Sequence, residues 1–335
     1  MDANFNSMML FCIILAAVLV VATFQITVST VSTATSKTPT FFPANKVTGK
    51  DRSSSNATSA FRATICAVAK NEELYIDEWL QYHKFLGFDH VHIHDNADNA
   101  SSYMASLPEK YSNFVSVTHS PGLGLQAVSY GKCVKEGANS STWVAFIDVD
   151  EFIVLRNHTN IKAYLHDVAP NGGLVQLGWS IMASNGTMEY DPAPVVTRFT
   201  LTSRAPSMYV KALAYLPHVR LVHVHYCLMK PGHPIVDQHG RIVKDMPSIH
   251  HNNDREIATL FHYQTKSWEE FNAKRHRGFA FNYKSNYLYD SANVNATAAM
   301  TKNYNTINNI LHPVVNTAAK DFYLKHCLQS AECHI

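Results

Sequence analysis

The stretch Trp143 to Phe152, WVAFIDVDEF, ends a run of large apolar residues on three carboxylates, Asp148, Asp150 and Glu151. An apolar strand has nothing to offer a bare anion, because desolvating an unpaired carboxylate costs several kcal/mol even after relaxation. A positive partner is therefore expected at this point. If the backbone stays extended, Asp148 and Asp150 stand at i and i+2 and share one face. Two hard oxygen ligands on one side suit Mn²⁺ or Mg²⁺, with diphosphate oxygens and water completing the shell. The competing reading is a solvated turn, since Asp-x-Asp alone is a weak signal. Glu151 either orients the loop, accepts a hydroxyl or sits at the surface.

The elements that must position these carboxylates follow from hydrophobic period. Ala63 to Ala69, ATICAVA, is a short apolar run suited to a buried parallel strand. Ile76, Trp79, Leu80, His83 and Leu86 recur at helical spacing, and Gly87 stands where a left-handed C-cap is wanted. His90–Asn96 and Phe114–Ser120 read as further strands, Gln126–Glu136 as a helix, and WVAFID as a fourth strand. Strands alternating with helices predict a doubly wound, mostly parallel α/β sheet, in which ligands bind beyond the carboxyl ends of the strands. At that edge lie Lys70, Asn71 and Glu72, which read either as a helix start capped by Asn71 or as nucleoside and phosphate contacts. Asp95 and Asn96 at the end of the second strand are nucleoside contacts or an Asx turn.

The second half reads as longer strands, GLVQLGWSIM, SMYVKALAYL and VRLVHVHYC, with an exposed hairpin over Lys230–Val243. As a strand, VHVHYC sets His223 and His225 on one face. His262 stands just before a helix that Ser267 and Glu270 start with a capping box and Gly278 closes. Each of these histidines is a candidate nitrogen ligand and also an ordinary core or surface residue. Trp179 is a candidate sugar platform or a core residue.

The formal charge of +2 is close to balance, which argues against a nucleic-acid partner. Met8 to Val28 carries no charged residue and is long enough to cross ~30 Å of hydrocarbon as a helix. It reads as a signal-anchor, with a cleaved signal peptide as the alternative. Ser29 to Ala60 is rich in Ser and Thr and has the composition of an extended stem. The expected organisation is therefore an anchor over 1–28, a stem over 29–60, a catalytic body over 61–285 and a C-terminal extension over 286–335. Sequons at Asn56, Asn99, Asn139, Asn157, Asn185 and Asn295 fit a luminal or extracellular body. The cysteines after the span are odd in number, with Cys327 and Cys333 spaced to close a small loop.

Three segments, ICAVAKNEELYIDEWLQYHKFLGFDHVHIHDN, WVAFIDVDEF and HYQTKSWEEFNAKRHRG, resemble, in this order, glycosyltransferase family 92 and the related family-2-like group. The resemblance implies a GT-A fold and inverting transfer of a sugar, commonly galactose, from a UDP-sugar to a glycan or glycoprotein hydroxyl, usually with Mn²⁺. It implies Lys70, Asn71, Glu72, Asp95 and Asp148 around the nucleotide, and Asp148, Asp150 and His262 around the metal. Lys266 and Arg277 approach phosphate or serve structure. The chain departs from the pattern at WSIMA (Trp179–Ala183) and at Thr197, both on the acceptor side. The acceptor proton is assigned to a carboxylate, Asp191, chosen from Glu189, Asp191 and Asp254. The corresponding location is a single-pass type II membrane protein of the Golgi or endoplasmic reticulum, with its body luminal. Two rival functions stand beside this reading: a non-catalytic sugar-binding membrane protein on the same fold, and a metal-dependent phosphohydrolase.

Overall fold

The computed structural model describes residues 61–140, 142–205, 207–244, 249, 254–277, 301–306, 308 and 313–330. The expected anchor and stem, Gly278 and Cys333 lie outside the described residues. No helix among the described residues is long and apolar enough to cross a membrane.

The first half is built as alternation demands: β1 (Arg62–Ala69), α1 (Ile76–Phe85), β2 (His90–Asp95), α2 (Ser102–Lys110), β3 (Val115–His119), α3 (Gln126–Gly137) and β4 (Thr142–Phe146). The strands run parallel in the order β3-β2-β1-β4. Every β1 residue after Arg62 is buried, as a strand covered on both faces must be. Helix α1 is fastened to the strand that follows the acidic turn, β5 (Glu151–Leu155): the Trp79 indole donates to the Glu151 carbonyl (2.8 Å) and the Tyr82 hydroxyl to that of Ile153 (3.0 Å).

The second half is mixed. After α4 (Ile161–Val168) come β6 (Leu174–Ala183), the short α5 (Val195–Arg198), β7 (Leu201–Ser203) and β8 (Val210–Tyr215). Strand β8 lies antiparallel between β4 and β6, which extends the parallel half into an 11-stranded sheet. Then follow β9 (Val219–Val222), β10 (Cys227–Met229), β11 (Ile235–Val236), β12 (Ala258–His262) and α6 (Trp268–Arg277). The expected capping box forms: Ser267 N donates to Glu270 Oε2 (2.9 Å), and Glu270 N donates to Ser267 Oγ (3.2 Å). Near the end of the chain, β13 (Pro313–Val315) pairs antiparallel with β7, and α7 (Ala318–Cys327) packs on α1. There Tyr323 donates to Gln81 Oε1 (3.1 Å), and the rings of Phe322 and Tyr82 stand 4.9 Å apart.

Two local expectations are corrected. VRLVHVHYC is not one strand: β9 stops at Val222, and His223 N donates to the Tyr226 carbonyl (2.7 Å) in a hairpin turn, so His223 and His225 share no strand face. Asn71 is not a helix cap. Helix α1 begins at Ile76, because the Glu72 carbonyl first closes a turn with Tyr75 N and Ile76 N. Asn71 instead holds a left-handed φ of +50° in the loop.

The disulfide between Cys66 of β1 and Cys133 of α3 escaped the sequence reading. Cys327 is also disulfide-bonded, while Cys227 is a buried free thiol. Whether Cys327 meets Cys333 lies outside the described residues. The Cys66–Cys133 bond closes a loop over a sequence separation of 67. Cys66→Ser/Cys133→Ser is therefore expected to lower unfolding free energy by about 2–4 kcal/mol, measured by denaturant titration under non-reducing conditions.

Candidate active site

Strand β4 ends at Phe146, and the acidic residues that follow form a turn in which Glu151 N donates to the Asp148 carbonyl (3.0 Å). The backbone is thus not extended here. Asp148 and Asp150 do not share a strand face, and each takes its own partners. Asp148 Oδ2 accepts from Lys211 Nζ (2.8 Å), and its Oδ1 accepts from Gln126 Nε2 (2.6 Å) and the Tyr130 hydroxyl (3.3 Å). Gln126 and Tyr130 stand one turn apart on α3, the helix that the disulfide braces against β1. Glu151 Oε2 accepts from Asp148 N (2.8 Å) and lies 3.5 Å from Lys211 Nζ.

Lys211 and Glu151 are both 0% exposed. Burial opposes the Lys211 charge, but the Asp148 carboxylate overcomes it and pushes the ammonium above the usual lysine range. Burial pushes the Glu151 carboxyl well above its ordinary range against the pull of Lys211, which favours the proton-bearing form and leaves Lys211 balanced by Asp148. The counter-charge expected of a divalent ion at Asp148 is therefore a lysine.

Asp150 is also buried. Lys274 of α6 donates to its Oδ2, and His262 Nε2 lies 3.6 Å from its Oδ1. Burial works against this carboxylate, yet Lys274 and His262 hold it well below the usual range. The register explains the meeting: β12 runs antiparallel to β5 with His262 opposite Glu151, and Tyr263 N donates to the Asp150 carbonyl (2.9 Å). The Trp179 ring lies 4.4 Å from that of His262 and 5.4 Å from that of His225. Burial and Lys211 lower His225 to about 4, so it is neutral at physiological pH. On the far wall, Arg277 donates to Glu72 Oε1 and to the Lys70 and Asn71 carbonyls, which clamps the β1–α1 loop to α6. Lys70 pairs with Asp98 (3.0 Å), and the Lys266 ammonium sits 4.2 Å above the Tyr75 ring.

Many of these groups line one cleft of about 240 Å³, although Lys211, Glu151 and Lys266 are not among its lining residues. Of the expected residues, Lys70, Glu72, Asp148, Asp150 and His262 line it, and Asn71 adjoins it through the carbonyl that Arg277 holds. Asp95 is buried in an Asx turn, accepting from Ala97 N (3.0 Å), and is not among the lining residues. Asp191 is exposed, accepts from Ala193 N (2.7 Å) and lines a separate depression of about 210 Å³ beside Tyr75, Glu78 and Tyr190. Glu189 is exposed, and Asp254 is committed to His239 (2.9 Å) and Arg241 (3.1 Å). None of the three acids expected to take an acceptor proton therefore lines the cleft. Lys211, Lys274 and Gln126 were missed, while His225, one of the candidate nitrogen ligands, lines the cleft. The signal for Lys211 was a lone lysine inside the apolar strand YVKALAY, and that for Lys274 was its place on the helix opened by the capping box.

A family model described as glycosyltransferase family 92 matches residues 63–311. The chain belongs to glycosyltransferase family 92. Among relatives, a glycosyltransferase family 92 protein of Ricinus communis is 27% identical over 226 residues, covering 64% of this chain and 38% of the relative. One of Oryza sativa subsp. japonica is 23% identical over 216 residues, covering 63% and 34%. The chain thus spans little more than a third of the length of the curated family 92 relatives it matches. Among solved structures, S. aureus TarS 1-349 in complex with UDP aligns with a TM-score of 0.31 and 16% identity over 47% of each chain.

Two measurements probe this region. Lys211→Met strands the Asp148 carboxylate without its buried partner and is expected to destabilise the fold by about 3–5 kcal/mol in denaturant titration, with part of the loss recovered in Lys211→Met/Asp148→Asn. In the second depression, burial raises the Glu78 carboxyl to about 7 from an ordinary 4.5, although Val195 N (2.7 Å) and Val196 N (2.9 Å) donate to it. Because the folded value is the higher one, this contribution to stability is complete below pH 4.5 and is lost as pH rises through about 7. Melting temperatures of Glu78→Gln across that window are expected to lack the decline seen in the native chain.

Proposed function

We propose that this chain is a glycosyltransferase that moves a hexose, galactose, from a UDP-sugar donor to a hydroxyl of a glycan or glycoprotein by single displacement with inversion. The supporting observation is a family match over 63–311 whose acidic turn, late histidine and basic helix converge on one cleft. We further propose that the protein is single-pass and type II, in the Golgi or endoplasmic reticulum, with a luminal body. The Cys66–Cys133 disulfide, a bond favoured in oxidising compartments, supports that location.

The residues fit a divalent ion in part. Asp150 and His262 offer an oxygen and an imidazole nitrogen 3.6 Å apart, a donor pair suited to Mn²⁺ or Mg²⁺. Asp148 is committed to Lys211, Gln126 and Tyr130 and belongs to the frame of the site. An ion held by Asp150 and His262 would neutralise charge on the departing diphosphate. The chain's own cations would act beside it. Arg275 and Arg277 line the cleft from α6 and Lys70 lines it from the β1–α1 loop, and fixed charges of this kind stabilise a developing anion because they need no reorganisation. Trp179 lines the cleft beside His262, with a flat apolar face suited to a sugar ring.

The test is UDP release from UDP-galactose by the purified full chain in the presence of Mn²⁺. Asp150→Ala is expected to lower turnover on the order of 10²–10³-fold, the scale of losing a main electrostatic stabiliser. Chelation is expected to suppress the native activity. Tight glycan binding with no turnover under any nucleotide-sugar would overturn the assignment in favour of a binding protein.

A further inference from the structure

We propose that Lys274 is a displaceable counter-ion, seated on Asp150 until a donor diphosphate draws it away, so that divalent ion and donor enter the cleft as a coupled pair. This rests on the donor and metal reading of the same cleft given above.

The geometry sets up a competition. Asp150 presents one oxygen to His262 at 3.6 Å, and Lys274 donates to the other. An ion bridging Asp150 and His262 would stand beside a fixed positive charge, and like charges at that range repel strongly where water is scarce. Among the described residues, Lys274 has little else to turn to. Its other contact is the Gln264 carbonyl at 3.5 Å, a neutral acceptor at the limit of hydrogen bonding. Among the described residues, the other acids lining the cleft already have a cationic partner, Asp148 in Lys211 and Glu72 in Arg277 at its Oε1, although Glu72 Oε2 keeps no hydrogen bond. Further cations stand nearby: Arg275 and Arg277 line the same cleft, and Lys266 sits over the Tyr75 ring. Burial lowers the charge affinity of Lys266, and Lys274 is among the cations that lower it further, which registers the crowding of ammonium groups here.

Releasing Lys274 from Asp150 therefore needs an incoming anion. A diphosphate supplies one, and its departure returns the ammonium to the carboxylate. The side chain is 19% exposed, at the cleft wall, where such a shift needs no opening of the core. The coupling must be reciprocal: whatever factor UDP contributes to ion affinity, the ion contributes to UDP affinity.

The experiment measures Mn²⁺ binding to the purified full chain from the free-ion electron paramagnetic resonance signal, with and without UDP, alongside calorimetric titration of UDP and uridine. In the native chain UDP is expected to tighten Mn²⁺ by about 30-fold or more, near the upper part of the usual coupling range. In Lys274→Gln, Mn²⁺ alone is expected to bind about 10-fold tighter and the coupling to fall below about 5-fold. UDP alone should weaken in that variant while uridine is unchanged, which separates loss of a diphosphate contact from general damage. Lys274→Arg should keep the native pattern, and Lys274→Met serves as a second neutral variant should Lys274→Gln melt early. Unchanged Mn²⁺ affinity and coupling in a folded neutral variant would overturn the proposal. So would native Mn²⁺ and UDP affinities that ignore one another, an outcome that leaves the transferase reading standing. Absence of any UDP binding by the native chain would remove that reading and this proposal together.

Discussion

A single buried ammonium, that of Lys211, makes the acidic turn possible. Without it, Asp148 would lose its closest counter-charge and the fully buried Glu151 would have no cation beside it. With it, one carboxylate is balanced and the other is favoured in its neutral form. The turn can then be rigid, and Asp150 at its far side is delivered to the cleft from a fixed base. The antiparallel insertion of β8 between β4 and β6 is what brings Lys211 there, so the mixed half of the sheet serves the parallel half.

Three helices converge on this turn by different means. Helix α1 holds the backbone of β5 through Trp79 and Tyr82. Helix α3 holds the Asp148 side chain through Gln126 and Tyr130, and the disulfide at Cys133 ties that helix to β1. Helix α6 reaches Asp150 through Lys274 and the first loop through Arg277. A site held from several rigid elements is one whose polar groups stay aimed without a ligand, which is what electrostatic preorganisation requires.

Much of this was legible in the sequence where local chemistry decides. The apolar runs of β1 and β4, the left-handed Gly87 after α1 (φ +92°) and the Ser267–Glu270 capping box are each set by a few neighbouring residues, and each was read correctly. What failed depended on distant partners. The partner of Asp148 in this structure is Lys211, a residue 63 positions away whose meeting with the turn depends on strand order. The paired histidines of VHVHYC dissolved into a hairpin because Val222 and Cys227 pair across it. Asp191 was chosen for its segment alone, and its carboxylate instead caps its own turn at Ala193 N in another depression.

The docking of α7 on α1 joins Tyr323 to Gln81 across 242 residues of sequence. During synthesis, the first strands and α1 emerge long before the helix that covers the Tyr82 and Phe85 face. That face gains this cover only once residues some 242 positions later have been made. The apolar cover of α1 is therefore a long-range contact, completed by a segment far along the chain from the helix it protects.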